Sequence, residues 1–197
     1  RLRTFTMPDL HTLAKDTVQA REEFLRQMDV SMQCMKDFGL DYEVAVRFVR
    51  GFLDEDPDFA REIVRRADRP CLIEIWDERF FYFVAKLEFN FVDAHEKSSC
   101  LSTVQIDVEN TERFDINYVD EDGAKKHPIL MHTSISGSVE RVVSSILEQQ
   151  AIRMREKEIP NFPLWLAPIQ VRVIPVSDKH HEFCESLLEK IPFRVDF

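Results

Sequence analysis

Val18, Leu25, Met28, Met32, Met35 and Phe38 recur at helical spacing, bracketed by Asp16 as a candidate N-cap and Gly39 as a stop. The pattern predicts one long helix to about Phe38, its methionines filling core. Val44–Val49 reads as a strand, and Asp54–Ala67 as an acidic-started helix with Pro57 near its first turn. From Pro70 the period becomes that of a sheet. Cys71–Trp76 is a short strand, and Phe80–Asp93 a longer one. Phe83, Ala85, Leu87, Phe89 and Phe91 fall on one face of it, Tyr82, Lys86, Glu88 and Asn90 on the other. Ser99–Glu109 alternates as cleanly, with Val104, Ile106 and Val108 opposed to Thr103, Gln105, Asp107 and Glu109. Ile116–Val119 and Ile129–Ser134 are two further strands around the turn Asp120-Glu-Asp-Gly123. After Gly137 a helical stripe returns in Val139, Val142, Val143, Ile146 and Leu147, and Arg153–Glu158 reads as a solvated connector.

Pro160, Pro163 and Pro168 punctuate the next stretch, and Asn161–Pro168 reads as a domain boundary. Ile169–Pro175, Asp178–Lys190 and Phe193–Val195 then spell strand, helix, strand, too short to bury a core alone. At the other end, Arg1–Phe5 alternates as a strand would, placing Arg1, Arg3 and Phe5 on one face. Met7-Pro8-Asp9 breaks that run, and His11–Ala14 resumes extended structure.

Composition narrows the function classes. The 197 residues carry 36 acidic against 26 basic side chains, a net charge of −10, which disfavours a protein that coats nucleic acid. No apolar run approaches the roughly 18 residues of a membrane span. Cys34, Cys71, Cys100 and Cys184 are widely spaced without a CxxC, which reads as structural thiols in a reducing cytosol. Glycine is scarce (4 residues), and neither GxGxxG nor GxxxxGK[ST] occurs, so any nucleotide must be held on a fold other than a Rossmann or P-loop one. The polar positions Arg1, Arg3, Lys86, Glu88, Thr103, Gln105 and Asp107 would form a sheet floor on which a planar anionic ligand could lie.

Several motifs are similar to those of class II aminoacyl-tRNA synthetases in their threonyl form. Arg1-Leu-Arg-Thr-Phe-Thr-Met-Pro-Asp-Leu-His11 resembles the second half of motif 2, and Ser136-Gly-Ser-Val-Glu-Arg141 resembles motif 3, with His132-Thr-Ser-Ile as its lead-in. Thr103-Val-Gln-Ile-Asp107, Tyr118-Val-Asp-Glu-Asp-Gly123 and Phe162-Pro-Leu-Trp-Leu-Ala-Pro-Ile-Gln170 also fit, with details closest to archaeal-type relatives. The resemblance implies an α+β fold. A mostly antiparallel catalytic core flanked by helices would occupy 1–166, and the start of an α/β anticodon-binding domain 167–197. It further implies that the chain begins inside motif 2, without motif 1 or the leading motif 2 arginine, while the shortness of the closing strand-helix-strand leads to the expectation that the parent protein continued past Phe197.

The implied activity is ATP-dependent activation of threonine and its transfer to the 3′ end of tRNA(Thr), in the cytoplasm, with Mg²⁺ accompanying ATP and a homodimer in the full-length protein. By resemblance, Phe5 stacks on adenine and Arg141 covers the other face of the ring. Arg1 contacts phosphates, and Thr103 and Ser138 lie near the nucleotide. Asp9, Tyr82 and Gln105 surround threonine, and Lys86 joins Arg1, Gln105 and Arg141 as catalytic. His11 and His132 are two of three ligands of a zinc ion, the third being a cysteine upstream of motif 2. Relatives often carry a tyrosine three residues before the lysine; here Phe83 stands there and Tyr82 is one place off. Zinc would favour threonine over isosteric valine, which lacks the hydroxyl. The competing expectation is a synthetase-derived domain that binds RNA or a partner without catalysis. His95, His127, His180 and His181 match no family role and read as surface or loop residues.

Overall fold

The computed structural model describes residues 3–197. It divides into two compact units, the first ending at Ile159 and the second spanning Pro160–Phe197.

The first unit is built on a six-stranded, mostly antiparallel sheet, flanked by helices. In order across the sheet, the strands are β1 (Leu10–Ala14), β8 (Ile129–Ser134), β5 (Ser98–Asp107), β4 (Phe83–Val92), β2 (Glu43–Val49) and β3 (Cys71–Trp76). All neighbours are antiparallel except β2 and β3, which the helices α2 (Arg50–Glu55) and α3 (Pro57–Ala67) connect. α1 (Thr17–Phe38) starts where the Asp16 carboxylate accepts the Gln19 N–H at 2.8 Å. It stops where Gly39 turns left-handed at φ 68°, a conformation that costs other residues more. Ala20, Phe24, Met28 and Met35 are buried on this helix, and the first three join Phe48, Phe59, Leu87, Val104, Ile106 and Met131 in one core cluster. Each large apolar side chain so buried contributes about 1.5–3 kcal/mol.

Several expectations need correction. Residues 3–9 form no strand, so Arg3 and Phe5 do not share a strand face, and Arg1 lies outside the described residues. The first strand starts at Leu10, beyond Pro8, whose missing N–H suits the unpaired segment before it. The helix expected from Asp54 is two helices. Asp56 ends one, and its side chain caps the other at Phe59 N–H, with Pro57 as the first residue. A bulge sets Phe83 opposite Asp107 but Ala85 opposite Ile106, two residues against one. Phe83 therefore leaves the core row and stacks on Phe81 instead, at 5.5 Å. The short helix α4 (Asn110–Arg113) follows β5, and the turn at Gly123 closes a hairpin of β6 (Tyr118–Val119) with β7 (Lys125–Lys126) rather than with β8. On α5 (Val139–Arg155) the stripe is shifted. Val142 and Ile146 are buried with Ser145, Gln149 and Gln150, while Val139, Val143 and Leu147 are half exposed. The connector expected from Arg153 starts as the last turn of this helix.

In the second unit, β9 (Val171–Arg172) pairs in parallel with β10 (Val195–Asp196). A turn of 3₁₀ helix (Asp178–His180) and α6 (His181–Leu188) lie between them in sequence.

Candidate active site

Strand register assembles the site. Glu74 pairs with Arg47, Arg47 with Lys86, Lys86 with Gln105, Gln105 with His132, and His132 with His11. Directly opposed residues share a face, so these six polar side chains form one row across all six strands. Their strand neighbours Val46, Leu87, Val104 and Thr133 are buried on the opposite face. Below them, the Gln27 side chain of α1 donates to Thr12 Oγ1 at 2.9 Å and accepts from the Thr133 hydroxyl, fastening β1 and β8 to the helix.

At one end of the row the imidazoles of His11 and His132 meet edge to face, with centroids 4.8 Å apart. Asp9 Oδ2 lies 3.5 Å from His11 Nε2. The Tyr82 ring lies 5.3 Å from that of His132, and its hydroxyl donates to Gln105 Oε1 at 2.9 Å. Tyr82 thus reaches the row despite its displacement by one place in sequence. Burial pushes its phenol up, and the carboxylates of Asp107 and Asp9 push it further, so the hydroxyl stays protonated at neutral pH. In the middle of the row, Glu88 accepts from Lys86 at 2.9 Å and Arg47 at 2.6 Å, and Arg47 also holds Glu74 at 2.7 Å. Burial raises the Glu88 carboxyl, but Lys86 and Arg47 outweigh it and hold it below its ordinary range.

Asp107 is fully buried and orients His132. Its Oδ1 accepts the N–H groups of Glu109 at 2.8 Å and Asn110 at 3.0 Å. Its Oδ2 accepts the Asn110 amide at 2.6 Å and His132 Nε2 at 2.7 Å. Burial pushes this carboxyl up, but these bonds prevail and lower it. An ionised carboxylate only accepts, so His132 Nε2 is the donor in this bond and Nδ1 is the nitrogen that remains for a ligand.

A second group gathers at the start of α5. Phe5 and Arg141 line one cleft of about 570 Å³, together with Phe91, Ser99, Asp93 and Glu140. Arg141 donates to the Cys100 carbonyl at 2.9 Å, and Phe5 is 49% exposed, its ring open to a ligand. Ser138 is buried and spends its hydroxyl capping α5 at Arg141 N–H, 3.3 Å away. Thr103 lies between Glu88 and Ser134, two residues along β5 from Gln105. Of the other histidines, His127 bonds the Ile116 carbonyl in the first unit, and His181 packs against Phe197 within the second.

The donor chemistry of His11 and His132 suits zinc, which takes imidazole nitrogen readily. Among the described residues, however, no group of three or more His, Cys, Asp or Glu side chains converges as a metal site. A catalytic zinc ion usually has three protein ligands, so this pair is one short. Arg47, Asn110 and Glu140 escaped the sequence reading. Arg47 could have been found, since Val44, Val46 and Phe48 alternate against it on β2. Glu140 stands inside the stretch that resembles motif 3, but nothing there marked its partner, a main-chain group far away in sequence.

A family model described as tRNA synthetase class II core domain (G, H, P, S and T) matches residues 1–150. The chain is 54% identical over its whole length to a threonine–tRNA ligase of Pyrococcus horikoshii and 55% identical to that of Pyrococcus furiosus, covering 32% of each. It therefore spans about a third of the length of the curated relatives it matches. Among solved structures it is similar to the RNA binding domain of threonyl-tRNA synthetase from Cryptosporidium parvum, with TM-score 0.76 and 23% identity over 99% of this chain and 49% of that one. It also matches a threonyl-tRNA synthetase, ThrRS-1, from Aeropyrum pernix, with TM-score 0.66 and 21% identity over 99% of this chain and 47% of that one. At these identities the two structures establish the fold.

Proposed function

The chain belongs to the family of class II tRNA synthetase core domains, and from that premise we propose that it is the threonine-activating part of a threonine–tRNA ligase. The observation that carries this reading is the register of β1 on β8, which sets His11 against His132 beside Asp9, Tyr82 and Gln105. This is a polar corner suited to a small amino acid that bears a hydroxyl.

In the proposed reaction, the threonine carboxylate attacks the α-phosphorus of ATP. A carboxylate oxygen–phosphorus bond forms, the α–β bridging bond breaks, and pyrophosphate leaves with its electron pair. The protein's part is placement and charge neutralisation. Phe5 and Arg141 grip adenine from its two faces, as an aromatic ring and a guanidinium can. Lys86, at the middle of the row, faces the developing negative charge. Asp9 accepts a hydrogen bond from the substrate hydroxyl, and Gln105, fixed by Tyr82, helps to hold the substrate. His11 and His132 would hold zinc with a third ligand, and that ion, when bound, offers open positions to an amine and a hydroxyl. Arg1, outside the described residues, and Mg²⁺ complete the phosphate contacts on this reading. In the second step the terminal ribose of tRNA(Thr) attacks the threonyl carbonyl and AMP leaves.

The test is ATP–pyrophosphate exchange by the full-length protein that carries this chain. Exchange should require threonine and fall by about 10²-fold or more in His132→Ala. Exchange that ignores threonine, or that survives this substitution intact, would sink the reading.

A further inference from the structure

Residues 3–9 form no helix or strand, so side chains there hold position only where the backbone is fastened from outside. The fastening is the first turn of α5. The Thr6 N–H donates to both carboxylate oxygens of Glu140, each at 3.0 Å. The Val139 N–H donates in return to the Thr6 carbonyl at 2.9 Å. Farther along the segment, the Ser134 hydroxyl donates to the Pro8 carbonyl at 2.8 Å. Both main-chain polar groups of Thr6 are therefore taken up by two consecutive residues of one helix. Thr6 adjoins Phe5, Glu140 adjoins Arg141, and Phe5, Glu140 and Arg141 line the same cleft.

We propose that Glu140 is a positioning residue: by accepting the Thr6 N–H it sets the separation of the Phe5 ring from the Arg141 guanidinium, so that a purine enters a slot already formed. The inference deepens the nucleotide reading above and rests on it. The residue type follows from the location. The second position of a helix offers unpaired N–H groups and the positive end of the dipole, which favour a carboxylate. A slot that formed only when the ligand arrived would lose affinity to the ordering of the segment. The rival role for an acid in this cleft is to hold a nucleotide-bound magnesium ion. That role needs the charge, whereas the clamp needs only an acceptor, so glutamine separates the two.

ATP affinity and amide hydrogen exchange over residues 3–9 are measured in the full-length protein for Glu140→Ala, Glu140→Gln and Phe5→Ala. Glu140→Ala should weaken ATP about tenfold, the worth of one hydrogen bond, and speed exchange at Thr6 while leaving threonine affinity alone. Glu140→Gln should keep both properties near those of the parent. ATP affinity unchanged in Glu140→Ala but weakened in Phe5→Ala would overturn the clamp alone. ATP affinity unchanged in Phe5→Ala would remove the nucleotide reading and the clamp with it. A glutamine variant as impaired as the alanine variant would assign Glu140 to magnesium instead.

Discussion

Replacing Asp107 tests the site where chemistry and stability meet. The carboxylate serves four donors from a position with no solvent access: the N–H groups of Glu109 and Asn110, the Asn110 amide and His132 Nε2. Asp107→Ala strands all of them. Each bond to a charged acceptor is worth about 1.5–3 kcal/mol, but the losses are not additive, and water can reach the half-buried Asn110. A total of about 3–5 kcal/mol is expected, the range for breaking a buried charged network. In a domain of this size that lowers Tm by roughly 6–20 °C. Asp107→Asn keeps an oxygen for the two main-chain donors and should cost less, about 1–3 kcal/mol. Accommodating its NH₂ group turns the His132 ring to the other tautomer, which consumes the Nδ1 lone pair. Activity should therefore fall further than stability in the asparagine variant.

The acid limb gives an independent check. The Asp107 carboxyl is held below its ordinary value in the folded state, so the native protein binds this proton less readily than the unfolded chain does. Its contribution is complete above the unfolded value near 4 and is lost as pH falls through the lower folded value. Asp107→Asn should flatten the acid limb accordingly. Thermal and urea unfolding across pH 3–7 measure both effects. An alanine variant that loses less than about 1 kcal/mol would refute the network as described.

Two further outcomes are expected. Gly137 has φ +79°, and a Cβ there would lie 2.3 Å from the Leu101 carbonyl oxygen, so Gly137→Ala should destabilise by about 2–4 kcal/mol in urea titration and displace the start of α5. Burial pushes the Cys100 thiol up to about 11, so it should react with a disulfide reagent at pH 8 more slowly than Cys34, which is less deeply buried although also raised, and equal rates would contradict its environment.

Local chemistry made part of this legible in advance. Asp16 and Gly39 marked both ends of α1 because each supplies what a helix terminus lacks. The alternation of β4 and β5 placed Lys86 and Gln105 together on the polar face, where they pair. The bulge at Phe83 was hidden, since two residues opposing one leaves no mark on hydrophobicity. The break at Asp56 was hidden by the continuous helical character on both sides of it. The meeting of His11 with His132 was legible only through motif resemblance. Pairing between such distant strands is decided by sheet order, which no local period encodes. The same holds for Glu140, whose partner is the Thr6 main chain.

The central claim is that the corner formed by His11, His132 and Asp9 selects a hydroxyl-bearing amino acid. The direct measurement is activation of threonine against valine by the full-length protein, as kcat/KM in pyrophosphate exchange, before and after Asp9→Ala. A site built to hydrogen-bond the substrate hydroxyl should prefer threonine by on the order of 10⁴, and much of that preference should vanish in the variant. Equal use of the two amino acids, or discrimination untouched by the loss of Asp9, would contradict the account.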